Sequence, residues 1–409
     1  MSKFEERLDR LAEVAIRVGL QLKQGQELVL TAPIEALPLV RRITAHAYKA
    51  GCSLVTPLFS DDMLSLLRFQ HAPDESFDKA SSWLFDGMAV AFDRGAARLA
   101  VAGEDPSLLA AQDPERVARV NRARSTAYRP ALERVVNFDI NWNIVSFATP
   151  AWAKAVFPEL PEDVAVQRLW DAIFAASRVD GPDPIAEWQR HNERLSRRTA
   201  FLNEKRYYAL RFKGPGTDLT VGLADDHLWE GGASTAKNGV TCNPNIPTEE
   251  VFTTPHMARV EGVVRSTKPL SYQGTLIQDI AVRFEGGRIV QSSAQTGADV
   301  LAKVLTTDEG AARLGEVALV PHSSPISKSG ILFFNTLFDE NASSHIALGQ
   351  AYSKCIRNGT SLTPVELAEK GANKSLIHID WMIGSDKIDV DGITASGSTE
   401  PLMRSGEWV

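Results

Sequence analysis

From Phe4 to Leu22 the apolar residues Leu8, Leu11, Val14, Ala15 and Val18 recur with charged residues between them. That three-and-four spacing predicts an amphipathic helix ending near Gly25. Glu27 to Thr31 follows as a short apolar strand, Leu37 to Tyr48 as a helix closed by Gly51, and Ser53 to Phe59 as a second strand. Strand, helix and strand at this spacing form a βαβ unit, which implies a parallel sheet with covering helices. Trp83 to Ala91, Arg98 to Ala102 and Phe138 to Phe147 are further apolar segments compatible with helix or strand. Pro150 to Val179 reads as helix with a break at Leu160 to Asp163, and Ile185 to Asn203 as a polar helix after the turn Gly181 to Pro184.

Beyond that helix the period changes from helical to alternating. Tyr207 to Phe212 and Asp218 to Leu223 read as strands joined by a Gly-Pro-Gly turn. Val260 to Ser266, Leu276 to Phe284 and Arg288 to Ser292 continue as strands, with Glu285-Gly286-Gly287 as a hairpin turn. The expected fold is therefore an α/β N-terminal domain, residues 1–195, followed by an α+β, strand-rich C-terminal domain, residues 196–409.

Composition narrows the function. The chain of 409 residues carries 44 Lys and Arg against 51 Asp and Glu, a net charge of −7. This lacks the basic excess of a general nucleic-acid binder. The first residues have no signal-peptide core, and no apolar run approaches the roughly 18 residues that span a bilayer. Cys52, Cys242 and Cys355 are few and scattered, which fits reduced thiols in the cytoplasm. There is no P-loop, and Gly214 and Gly216 lack the third glycine and following helix of a dinucleotide fingerprint.

Chemistry concentrates in the second half. His378 and Asp380 sit one residue apart in an apolar run, so a strand there aims imidazole and carboxylate the same way. Glu249 and Glu250 follow a proline-rich turn and would point to opposite sides of a strand, so one of them is expected to enter a site. Glu316 opens a fully apolar strand, where a carboxylate needs a partner. Asn341, Ser343 and Ser344 read as helix caps, and a helix from there would put His345 and Tyr352 on one face. A Cys355 nucleophile served by His345 is a weaker alternative. Two histidines, one aspartate and at least two glutamates are the inventory of a two-metal hydrolytic centre, and the mixture suits Zn, Co or Mn better than Mg or Ca.

The blocks NIPTEEVFTTP, LGEVALVP, LFDENASSHIALGQAY and IHIDWMIG occur in that order. In them the chain resembles the thermophilic metallo-aminopeptidases, the aminopeptidase T and aminopeptidase S type, from end to end. The resemblance implies two divalent ions (Zn, Co or Mn) and removal of N-terminal amino acids from short peptides by metal-activated water. It implies the metal ligands Glu250, Glu316, His345, His378 and Asp380, the catalytic tyrosine Tyr352, and a homodimer. Asp380 is the expected bridging carboxylate and Glu249 the expected general base. An amidase or deacylase acting on non-peptide substrates, and a non-catalytic metal-stabilised protein, are the competing functions.

Overall fold

The computed structural model describes residues 2–272 and 275–409. By its internal contacts the chain divides into two compact units, Met1–His191 with Ala233–Pro247, and Asn192–Gly232 with Thr248–Val409. Among the described residues no helix is long and apolar enough to cross a membrane.

The first unit holds the expected parallel sheet. Leu54–Ser60, Glu27–Pro33, Ala97–Ala102 and Trp142–Ser146 lie side by side in that order, every neighbouring pair parallel. The ambiguous segments resolve into the helix Ser82–Asp93 and the strands Ala97–Ala102 and Trp142–Ser146. Helix Pro114–Val136 was not expected, because its arginine-rich sequence carries only a weak apolar stripe. The opening helix ends at Val14 and passes into a π-helical turn, Ala15–Leu20. Residues 233–247, expected in the C-terminal domain, pack in this unit. Ile144 N–H donates to the Pro244 carbonyl at 2.7 Å and its own carbonyl accepts from Ile246 N–H at 3.0 Å, so the segment covers a strand edge that would otherwise lie open.

The second unit contains two principal sheets. An eight-stranded antiparallel sheet includes the hairpin Ala209–Gly214 and Thr217–Leu223, the long strand Pro255–Arg265 and the C-terminal strands. The stretch expected as one strand from Leu276 to Phe284 is two, Thr275–Ile277 and Ala281–Glu285. A smaller antiparallel sheet has the order His378–Met382, His345–Gly349, Leu314–Leu319, Val251–Thr253. One face of the smaller sheet sends Val317, Ile346, Leu348 and Trp381 into the unit's apolar core, where they meet Phe212, Val221 and Val282. Burying such side chains stabilises by roughly 1.5–3 kcal/mol each and fixes which face the intervening residues must take.

Candidate metal centre

That other face of the small sheet carries the chemistry. Register sets Glu316 opposite Ala347 and Ala347 opposite Asp380, while Ala318, His345 and Met382 form the next row and Gly349 pairs with His378. Directly opposed residues share a face. Glu316, His345, His378 and Asp380 therefore project together, with only Ala318, Ala347 and Gly349 between them. Small residues leave the ligand tips room to converge. Gly349 has φ of 100°, and a Cβ there would lie 2.2 Å from the Ile377 carbonyl oxygen, so no other residue fits without backbone movement.

Glu250 joins from the segment just before Val251–Thr253. His345 Nε2 lies 3.2 Å from Glu250 Oε2, 3.7 Å from Glu316 Oε1 and 3.9 Å from Asp380 Oδ1. His378 Nε2 lies 3.2 Å from Glu316 Oε2 and 3.5 Å from Asp380 Oδ1. These atoms form two ligand groups, Glu250 with Glu316 and His345, and Glu316 with His378 and Asp380. Glu316 belongs to both, with one oxygen toward each histidine.

The donor set fits divalent cations on two independent observations. Glu250 Oε2 is buried and has no hydrogen-bond partner, although His345 Nε2 is only 3.2 Å away. Adjacent ligands around one ion show such separations, since tetrahedral Zn with bonds of about 2.0–2.1 Å has ligand edges of about 3.3 Å. Both imidazoles are also anchored by the opposite nitrogen. His345 Nδ1 contacts the Ser343 carbonyl at 3.2 Å and His378 Nδ1 the Gln350 carbonyl at 2.7 Å. A carbonyl accepts there, so each Nδ1 carries the proton and each Nε2 lone pair faces the cluster.

Proton affinities show the same demand for positive charge. Burial opposes a charged His378, yet Asp380 and Glu316 push its imidazole up to about 11. His345 is likewise raised well above its ordinary value by Glu250 and Glu316, against the cost of burial. Burial raises Glu250, with further contributions from Glu316 and Asp380. Glu316 is held down to about 2, because the two histidines outweigh its burial.

Four findings bear on the sequence expectations. First, His345 does not start a helix shared with Tyr352: it is the first residue of the strand His345–Gly349, and Tyr352 lies beyond that strand. The expected caps are engaged elsewhere. Asn341 Oδ1 accepts the Glu249 N–H at 2.6 Å, Asn341 Nδ2 donates to the Leu337 carbonyl at 3.0 Å, and Ser344 Oγ accepts from Val320 N–H at 3.1 Å. Second, Tyr352 reaches the cluster from that loop. Its ring centroid is 4.7 Å from that of His378 and 6.0 Å from that of Phe252. Burial and then the neighbouring carboxylates raise its phenol well above the ordinary range, so it stays a donor.

Third, Glu249 is buried but belongs to neither ligand group; its charge is felt by Arg198. Fourth, a residue missed in the sequence faces the cluster. Glu340 stands in a 3-10 turn, and burial, then Glu250 and Asp380, raise its carboxyl well above the ordinary value. In an Asp-Glu-Asn run it looks like any surface acid. Cys355 is fully buried and its thiol is pushed up by burial, the reverse of an activated nucleophile.

The family model described as "Thermophilic metalloprotease (M29)" matches residues 4–408. Aminopeptidase T of Thermus aquaticus is 56% identical over 409 residues, covering 100% of both chains. Aminopeptidase 2 of Geobacillus stearothermophilus is 46% identical, covering 100% of this chain and 99% of its own. The solved structure titled wild-type AmpT from Thermus thermophilus superimposes with a TM-score of 0.94 at 54% identity, over 99% of this chain and 100% of that one.

Proposed function

The chain belongs to the thermophilic metalloprotease family and is a metal-dependent aminopeptidase, and from that premise we propose that it removes N-terminal residues from short peptides at a dinuclear centre. The observation that carries the dinuclear reading is Glu316, which has one carboxylate oxygen in each of two ligand groups. Glu250 and His345 complete one group, His378 and Asp380 the other, and Glu340 faces both. Glu316, with one oxygen toward each histidine, would help hold both ions, and Asp380, the carboxylate expected to do so, has Oδ1 within 3.9 Å of both imidazoles. Zn, Co or Mn suits this nitrogen and carboxylate mixture. Two such ions supply, when bound, an activated water and a polarised scissile carbonyl.

The chain's own residues do the rest. The carboxylates around Asp380 and Glu340 favour the free α-ammonium of a peptide, a group that internal peptide bonds lack. Glu249 takes the proton of the attacking water: it is buried, directly precedes Glu250, and stands outside both ligand groups. Tyr352 O–H donates to the carbonyl oxygen as it becomes an oxyanion, from beside His378. The residues 248–409 that carry these groups are the catalytic part of the second unit. Three buried free thiols support a reducing, cytoplasmic setting, and the homodimer is tested by sedimentation.

Metal analysis and substrate blocking test the function together. Purified protein should hold two divalent ions per chain, lose activity on chelation and regain it with Co or Zn. Leu-p-nitroanilide should be cleaved and its N-acetyl derivative should not. Cleavage of the blocked substrate at a comparable rate would favour the amidase reading, and stoichiometric metal without any hydrolysis a non-catalytic protein.

A further inference from the structure

Between the helix Pro184–Lys205 and the C-terminal strands lies a cavity of about 300 Å³, lined by none of the metal-centre residues. Arg194, Arg197, Arg198 and Phe201 form its helical wall. Their spacing of three, four and seven residues from the first puts them on one face of the helix. The facing wall is Leu402, from the strand Thr399–Arg404, and Trp408, from the edge strand Glu407–Trp408. Met403 pairs with Trp408, and Val409 N–H donates to the Leu402 carbonyl at 3.1 Å, so backbone bonding holds this wall in place.

The cavity gathers positive charge that the protein leaves without partners. Like charges three and four residues apart on a helix repel, and among the described residues neither Arg197 nor Arg198 makes a hydrogen bond or an ion pair. Arg198 is half-buried, with its guanidinium 4.9 Å from the centroid of the Trp408 ring. That contact with the ring face uses none of its five N–H donors. Burial, and then Arg194 beside it, lowers the proton affinity of Arg198 against the pull of Glu249 and Glu407. Glu407 is itself engaged, accepting the Ser323 hydroxyl at 2.8 Å. Trp408 Nε1 is buried and also without a partner. Donors withdrawn from water and left unmatched are costly, and a bound anion would supply the missing acceptors.

The lining also restricts the kind of anion. Arginine forks match the oxygens of carboxylates and phosphates, but Phe201, Leu402 and Trp408 offer an inorganic ion nothing. Three guanidiniums repel the ammonium group of a free amino acid. The volume stands at the lower end of the range of about 300–1,000 Å³ for small-molecule sites, which suits the end of a peptide and not a folded partner. We infer that this cavity is a second binding site, besides the metal centre, for the C-terminal end of a peptide. The carboxylate pairs with Arg197 and Arg198, and the last apolar side chain lies against Leu402 and Trp408.

Isothermal titration of the metal-loaded protein with N-acetyl-Leu-Leu provides the test, since an aminopeptidase leaves a blocked peptide intact. The C-terminal amide of the same peptide and inorganic phosphate serve as comparisons. The acid should bind about tenfold or more tightly than either, the usual worth of a charge-assisted hydrogen bond. Arg198→Gln and Arg197→Gln should each weaken the acid by a similar factor with metal content unchanged. If Arg198→Gln does not fold, Arg197→Gln at its exposed position decides alone. Equal affinity for acid and amide, equal and equally arginine-dependent affinity for phosphate, or no binding of any probe would overturn the assignment. Undiminished binding to the metal-loaded arginine variants would put the acid on the metals and overturn it as well. The aminopeptidase reading stands or falls separately, because a wild type that cleaves no free-amine substrate can still bind the acid through these arginines.

Discussion

Replacing Tyr352 by phenylalanine removes one hydroxyl and keeps the ring. The aromatic contacts to His378 and Phe252 at 4.7 and 6.0 Å therefore persist, and no ligand is touched. On the proposed mechanism, only the donor to the developing oxyanion is lost. Removing one such donor costs about 2.7–4 kcal/mol, a fall in kcat of about 10²–10³. Because burial and four nearby carboxylates keep the phenol protonated through the alkaline range, the loss should be equally large at every pH where the wild type works. Ground-state binding is expected to change little, so KM should stay within about twofold. Steady-state kinetics on Leu-p-nitroanilide from pH 6 to 9, with metal content measured alongside, provides the assay. A variant with two bound ions and a kcat within about threefold of wild type would refute the oxyanion role.

Other substitutions probe different parts of the site. Glu249→Gln should keep both ions, since Glu249 is in neither ligand group, while kcat falls about 10²–10⁴, the usual share of general-base catalysis; unchanged kcat would reassign the base. Asn341→Ala removes the acceptor for Glu249 N–H and the donor to Leu337. With about 1–3 kcal/mol for each of the two buried groups left unpaired, urea unfolding should show a loss of about 2–6 kcal/mol. His227 is half-buried, with Nδ1 on the Ala224 carbonyl and a buried, unpartnered Nε2, and this burial lowers its pKa. The unfolded chain takes up a proton that the fold refuses, so this stability is present above about pH 6.5 and is lost as pH falls below it. His227→Gln should therefore narrow the gap between urea midpoints at pH 7 and pH 5, and an unchanged gap would refute the assignment.

The legible parts of the chain were those where one local pattern decides the outcome. The βαβ spacing gave a parallel sheet, and the single-residue separation of His378 and Asp380 gave a shared face, because strand alternation admits no other answer. Glu316 was conspicuous for being charged in a wholly apolar strand. Expectation failed where tertiary bonding competes with local preference. Asn341 and Ser344 have ideal helix-capping chemistry, yet their side chains serve Glu249 and Val320, and Ile346 with Leu348 completes a sheet instead. Glu340 was illegible for the opposite reason: nothing nearby in sequence makes it unusual, and its role comes from carboxylates brought in from distant segments.

Those separate segments have a consequence for the stability of the unit that carries them. Glu316 stands 66 residues after Glu250, and His378 62 residues after Glu316. Ions held as proposed by all of them would close two long loops of chain, as crosslinks do. The penalty falls on the unfolded ensemble, whose freedom such closures restrict, and it grows only slowly with loop length. Stabilisation by bound ligand also scales with its concentration, reaching about 4 kcal/mol at a thousandfold excess over Kd. Resistance to thermal inactivation should then track free divalent cation, and chelated protein should unravel first around the small sheet while the parallel sheet of the first unit keeps its protection from hydrogen exchange.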